Sequence, residues 1–185
     1  VDEPTPLGIV PTTDRGSLPF ALLHGEPLVV WASSALEDAG VDLVDFDVDW
    51  ERLRDSGRPL VVHDPLCPAT PAGFLAEAIR AAVAGEVVVA GVQPVADTLK
   101  RLEGDLIAGT ADRDAFVRVV SPLVLPARVL AGAASPLDLA DLPALVGRLR
   151  LEHRVELLAA PAAAARVADL ASLRVLESGF EPFSR

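Results

Sequence analysis

Val92-Gln93-Pro94-Val95-Ala96-Asp97-Thr98-Leu99-Lys100-Arg101 leads through Gly104-Asp105 to Gly109-Thr110-Ala111-Asp112-Arg113, then to Phe116 and Ser121-Pro122. Two short β-prone runs flank Gly104-Asp105, a Gly-first pair suited to a two-residue type II′ hairpin turn. An isolated hairpin is barely stable, so this one needs the body of the domain or another subunit to lie against. Thr98 and Lys100 stand two apart on one strand and share a face. Lys100 is the only lysine in the chain, and Asp112-Arg113 closes the second strand. A hydroxyl, an ammonium and a guanidinium held close together suit a phosphate. The same set also reads as ordinary surface charge on a solvated hairpin.

The bulk of the sequence narrows the options around this segment. With 185 residues, 51% of them apolar, the chain is expected to form one domain over residues 1–185, with an arm at about 95–113. A net charge of -11 argues against nucleic acid or an anionic membrane as partner. One cysteine, Cys67, excludes a disulfide framework and reads as an inert buried thiol. No signal peptide and no apolar run long enough for a bilayer is seen, which points to the cytoplasm.

Taken in order, Leu7–Val10 reads as a buried strand and Pro27–Ala39 as a helix stopped by Gly40. Val44, Phe46, Val48 and Trp50 alternate with Asp45, Asp47 and Asp49, the pattern of an edge-like strand with one acidic face. A calcium loop is excluded there because Trp50 occupies the position that needs glycine, and a lone D-x-D is a weak glycosyltransferase signal. Leu60-Val61-Val62-His63-Asp64 is a strand with its carboxylate at the C-terminal end, where ligands bind in open α/β sheets. His63 and Asp64, adjacent on a strand, should point to opposite faces. Pro71–Ala84 is an amphipathic helix and Val87–Val92 a buried strand. Beyond the hairpin, Asp114–Val120 and Pro126–Ala134 read as short helices, Leu137–Leu151 as a helix, Val155–Leu158 as a strand and Ala162–Glu177 as a helix. The alternation predicts an α/β three-layer sandwich around a mostly parallel sheet, with a protruding β-hairpin arm.

The pattern P-V-x-D-T-x-K-R, a short turn, G-T-x-D-R and S-P resembles the arm of the 2-C-methyl-D-erythritol 4-phosphate cytidylyltransferase family. Val62-His63-Asp64, Ile9-Val10-Pro11 and Gly25-Glu26-Pro27-Leu28 match that family's V-H-D, its first strand and its G-x-P-L. The resemblance implies a nucleotide-diphospho-sugar transferase-like fold. It also implies a transferase of the isoprenoid precursor pathway that makes a CDP-alcohol and pyrophosphate from CTP and a polyol phosphate, with Mg as cofactor. On the same ground Arg15 and Asp64 are the catalytic candidates, with Asp64 also the metal ligand. Thr98, Lys100, Arg113, Ser121 and Arg166 are the substrate-binding candidates. In the family the arm crosses a two-fold axis, so a homodimer is implied, with Arg113 reaching the partner's site.

Several family groups are missing. Of the phosphate-cradling glycines in the first loop only Gly16 remains, Asp14 adds a negative charge, and Phe20 stands where a lysine belongs. Cys67 replaces an arginine, and the base-binding segment has no counterpart in Glu51–Pro59. Catalysis is therefore expected to be impaired. The alternative is a non-catalytic sugar-phosphate binder or dimerisation partner, including a heterodimer with an active paralogue.

Overall fold

A computed structural model describes residues 4–45, 48–95, 100–104, 106–110 and 112–179. In chain order these form β1 (Leu7–Ile9), β2 (Leu22–Leu23), β3 (Glu26–Pro27), α1 (Leu28–Asp38), β4 (Asp42–Leu43), α2 (Trp50–Arg54), β5 (Leu60–Val62) and α3 (Ala72–Gly85). There follow β6 (Val88–Pro94), β7 (Lys100–Glu103), β8 (Leu106–Thr110), β9 (Val117–Leu125), α4 (Ala127–Gly132), α5 (Leu142–Glu152), β10 (Val155–Ala159) and α6 (Leu170–Gly179).

Six strands make the main sheet in the order β10-β6-β9-β5-β1-β4. The β10–β6, β5–β1 and β1–β4 pairs are parallel, while β9 runs antiparallel to both of its neighbours. Alternation along β5 shows why the chain needs helices on both sides. Leu60 and Val62 pack with Val129 of α4 and Leu145 and Leu149 of α5, whereas Val61 packs with Leu36 of α1 and Leu75 and Ala78 of α3. Burying each such side chain contributes roughly 1.5–3 kcal/mol, so both helical layers stabilise the sheet. This is the three-layer arrangement that the alternation of elements predicts.

Of the expected hairpin turn, residue 105 lies outside the described residues. β7 and β8 pair antiparallel, with Glu103 opposite Leu106, Lys100 opposite Thr110 and Gly104 in the left-handed region at φ 61°. Thr98 lies outside the described residues, and of Lys100 only the backbone pairing is described.

The helix expected from Leu137 begins only at Leu142, and three further expected elements differ. Of the acidic strand expected over 44–50, residues 46 and 47 lie outside the described residues; 44, 45, 48 and 49 are not strand, β4 covers Asp42–Leu43 before them, and Asp49 caps α2, its Oδ1 accepting the Glu51 N–H at 3.1 Å. Asp and Ser side chains favour such caps over strand interiors. Asp114–Val120, expected as a helix, is a 3-10 turn over Arg113–Ala115 followed by β9, whose Val117, Val119 and Val120 are β-branched. Ala162–Glu177 is not one helix. A 3-10 turn over Ala162–Ala164 gives way to extended chain, which the Val167 N–H bond to the Leu66 carbonyl (2.7 Å) draws away from helix, and α6 begins only at Leu170.

Candidate functional site

Parallel pairing of β1 with β5 sets Ile9 opposite Val62, and the His63 N–H continues the ladder to the Ile9 carbonyl at 3.0 Å. The loops that leave these two strands therefore lie side by side at their C-terminal ends. Asp64 opens the second loop as a local turn: its Oδ1 accepts the Leu66 N–H at 3.0 Å and its carbonyl accepts the Cys67 N–H at 2.9 Å. In the first loop Asp14 and Gly16 both adopt left-handed backbone (φ 60° and 59°) on either side of Arg15. The Arg15 side chain is only 3% exposed.

Two guanidiniums converge on Asp64. Arg15 Nε donates to Oδ1 at 3.0 Å, and Arg166 Nε donates to Oδ2 at 2.9 Å. The remaining Arg15 nitrogens are also committed, Nη1 to the Thr13 carbonyl at 3.1 Å and Nη2 to the Leu139 carbonyl at 3.2 Å. Arg166 is held from one edge alone. It stands in the extended chain before α6, its side chain is 39% exposed, and no partner of its terminal nitrogens is found among the described residues. Burial works against the ionised Asp64, but the Arg166 hydrogen bond, the Arg15 charge and the Leu66 N–H outweigh it and hold the carboxyl below its ordinary value.

Ser121 supports this group from behind. β6 and β9 change register between Ala90 and Val92, and at that irregularity Gly91 faces the Ser121 backbone. Ser121 is fully buried, its Oγ accepting the Asp64 N–H at 3.1 Å and pairing with His63 Nδ1. Its hydroxyl therefore positions Asp64 from within the protein. The His63–Ser121 pairing was not legible in the sequence, because side-chain alternation says nothing of a backbone N–H and an imidazole sharing one oxygen.

His63 is wholly buried, its Nε2 has no partner among the described residues, and desolvation pulls its pKa down to about 4. The group stays neutral in the folded protein while the unfolded chain takes up a proton below pH ~6.5, so stability falls as pH drops from there towards 4. Going from pH 7 to pH 5 should cost about 2 kcal/mol in urea unfolding through this group. His63→Gln should flatten that dependence. An unchanged slope in the variant would assign the loss to other groups.

The other sequence candidates lie apart from this cluster. Arg113 sits on the exposed turn before β9, 3.9 Å from Asp114, and is not among the described partners of Asp64. Phe20 is 57% exposed and Asp14 is exposed, so neither fills the first loop. Cys67 is buried, and desolvation pushes its thiol up to about 12. A cavity of about 760 Å³ between α1 and the start of α3, bordered by Trp31, Asp38 and Thr70, includes none of the clustered residues.

A magnesium ion does not fit Asp64 as it stands. Mg²⁺ takes one or two carboxylates plus waters in near-octahedral geometry, whereas both oxygens here accept from guanidiniums and the local charge is already positive. No group of three His, Cys, Asp or Glu side chains suited to a metal occurs among the described residues. Nor is any helix among them long and apolar enough to cross a membrane.

No family model matches the chain. Over 100 residues, 52% of this chain and 25% of that protein, it is 31% identical to the bifunctional enzyme IspD/IspF of Solidesulfovibrio magneticus. Over 72 residues, 39% of this chain and 30% of the other, it is 32% identical to the 2-C-methyl-D-erythritol 4-phosphate cytidylyltransferase of Corynebacterium diphtheriae. The match thus spans between a quarter and a third of these relatives' length. The fold is shared more widely. The crystal structure of the Thermus thermophilus cytidylyltransferase aligns with a TM-score of 0.69 at 23% identity, covering 95% of this chain and 98% of that one. The Anaerococcus prevotii 4-diphosphocytidyl-2C-methyl-D-erythritol synthase aligns with a TM-score of 0.69 at 11% identity, covering 95% and 96%.

Proposed function

We propose that this chain, a divergent relative of the 2-C-methyl-D-erythritol 4-phosphate cytidylyltransferases, binds a polyol phosphate of that class at Arg166 and transfers cytidylyl groups from CTP poorly or not at all. The contrast between the two arginines carries this reading. Arg166 anchors one edge on Asp64 and leaves its outer nitrogens available, a fork suited to a phosphate. Arg15 is buried with all three nitrogens on protein acceptors, so its charge is engaged before any triphosphate arrives. Each missing charge-stabilising donor costs about 10²–10³ in rate, and losses within one site are rarely additive.

One observation favours retained turnover: the exposed Phe20 does not plug the first loop, so space for a nucleotide is not closed by it. The reading also has the arm lie against a second copy or a paralogue, taking Arg113 towards the neighbouring site. Phe116 and Val117, each half exposed beside the arm, are the apolar surface such a contact would cover.

Calorimetric titration of the full chain with 2-C-methyl-D-erythritol 4-phosphate, together with pyrophosphate release after adding CTP, tests this. Wild type should bind, Arg166→Ala should bind about 10-fold or more weakly, and release should stay at background. Absence of binding by wild type would overturn the proposal. Fast, Arg166-dependent release would overturn the impairment.

A further inference from the structure

We infer that the site takes its phosphate without a divalent cation, the two guanidiniums supplying the positive charge that a metal would bring. This rests on the polyol-phosphate reading above and adds what neutralises the ligand. Both carboxylate oxygens of Asp64 are engaged, by Arg15 Nε at 3.0 Å and Arg166 Nε at 2.9 Å, with the Leu66 N–H also on Oδ1. Among Arg15, Asp64 and Arg166 one negative charge faces two positive ones, and the surplus lies on the exposed edge of Arg166. A divalent ion at Asp64 would have to displace Arg166 from Oδ2 and then sit beside Arg15, a guanidinium that is 3% exposed and held in place by two further carbonyls. Arg166 can offer its outer nitrogens to a ligand while its Nε stays on Asp64, whose charge Arg15 also neutralises.

The test is titration of the full chain with 2-C-methyl-D-erythritol 4-phosphate in EDTA and again in millimolar magnesium. A parallel Mn²⁺ titration is followed by electron paramagnetic resonance. The dissociation constant should agree within about twofold between the two buffers, weaken about 10-fold in Arg166→Ala in both, and no Mn²⁺ should be retained. Binding that requires magnesium would overturn the inference while leaving the polyol-phosphate reading intact. Absence of binding in both buffers would overturn that reading. In that case the inference falls with it; where the phosphate does bind, Mn²⁺ retained by wild type and lost in Asp64→Asn would overturn the metal-free site alone.

Discussion

Asp64→Ala should lower the stability of the folded protein by about 3–5 kcal/mol, the cost of removing one partner from a buried ion pair. The cause is Arg15. Its side chain is 3% exposed, and without the carboxylate it keeps bonds to the Thr13 and Leu139 carbonyls but no counter-charge. Arg166→Ala removes the other pair from the same carboxylate yet should cost less than ~1 kcal/mol, because that side chain reaches solvent. Urea unfolding separates the two cases, with a lowered midpoint and an unchanged slope expected for Asp64→Ala. Combining Asp64→Ala with Arg15→Met should recover much of the loss, since neighbouring substitutions that remove a buried charge together are not additive. A cost below 1 kcal/mol for Asp64→Ala would mean that Arg15 finds water and that the cluster is not a buried one.

Gly91→Ala should be comparably severe, about 3 kcal/mol or more. A Cβ there would stand 2.6 Å from the Ser121 carbonyl oxygen, 2.9 Å from its carbon and 3.2 Å from the Pro122 nitrogen, all of them backbone atoms. No rotamer relieves such a contact, so β9 itself would have to move, and with it the Ser121 hydroxyl that receives the Asp64 N–H. Gly147 offers the opposite case. It is exposed on α5 and a Cβ there meets nothing within 4 Å, so Gly147→Ala should raise stability by about 0.5–1 kcal/mol through helix propensity alone. Thermal unfolding of the pair checks the sign. If both variants melted like wild type, the close approach of β6 and β9 would not be obligatory.

Where hydrophobic spacing was strong, the sequence was sufficient. Leu60–Val62, Val87–Val92 and the i, i+4 series Phe74, Ala78 and Ala82 each lead to the element found. β9 was harder because Pro122 stands in the middle of a central strand, a place where proline removes a ladder donor. The chain accommodates it beside the register change at Ala90–Val92, where the regular ladder is already broken. Reading the Ala-rich stretch from Ala162 as helix follows propensity, and the single Val167–Leu66 hydrogen bond overrides it. The candidate residues Arg15, Asp64 and Arg166 could be proposed from motif positions. That the two arginines share one carboxylate could not, since 49 and 102 residues separate them from it.

The place of β9 also governs how the protein comes together as it is made. β5 and β6 each pair with β9 and not with one another, so β4-β1-β5 and β6 remain separate pieces of the sheet until β9 is inserted, and β10 joins β6 only later in the chain. Val61 pairs with Val124, a long loop to close, and such non-local pairing slows folding. On a ribosome the edges of β5 and β6, both lined with residues that end up fully buried, must wait for the nascent chain to extend beyond Leu125. Chains cut before Val117 would leave one edge of β5 and both edges of β6 unpaired, and their fate would be aggregation or capture by a chaperone.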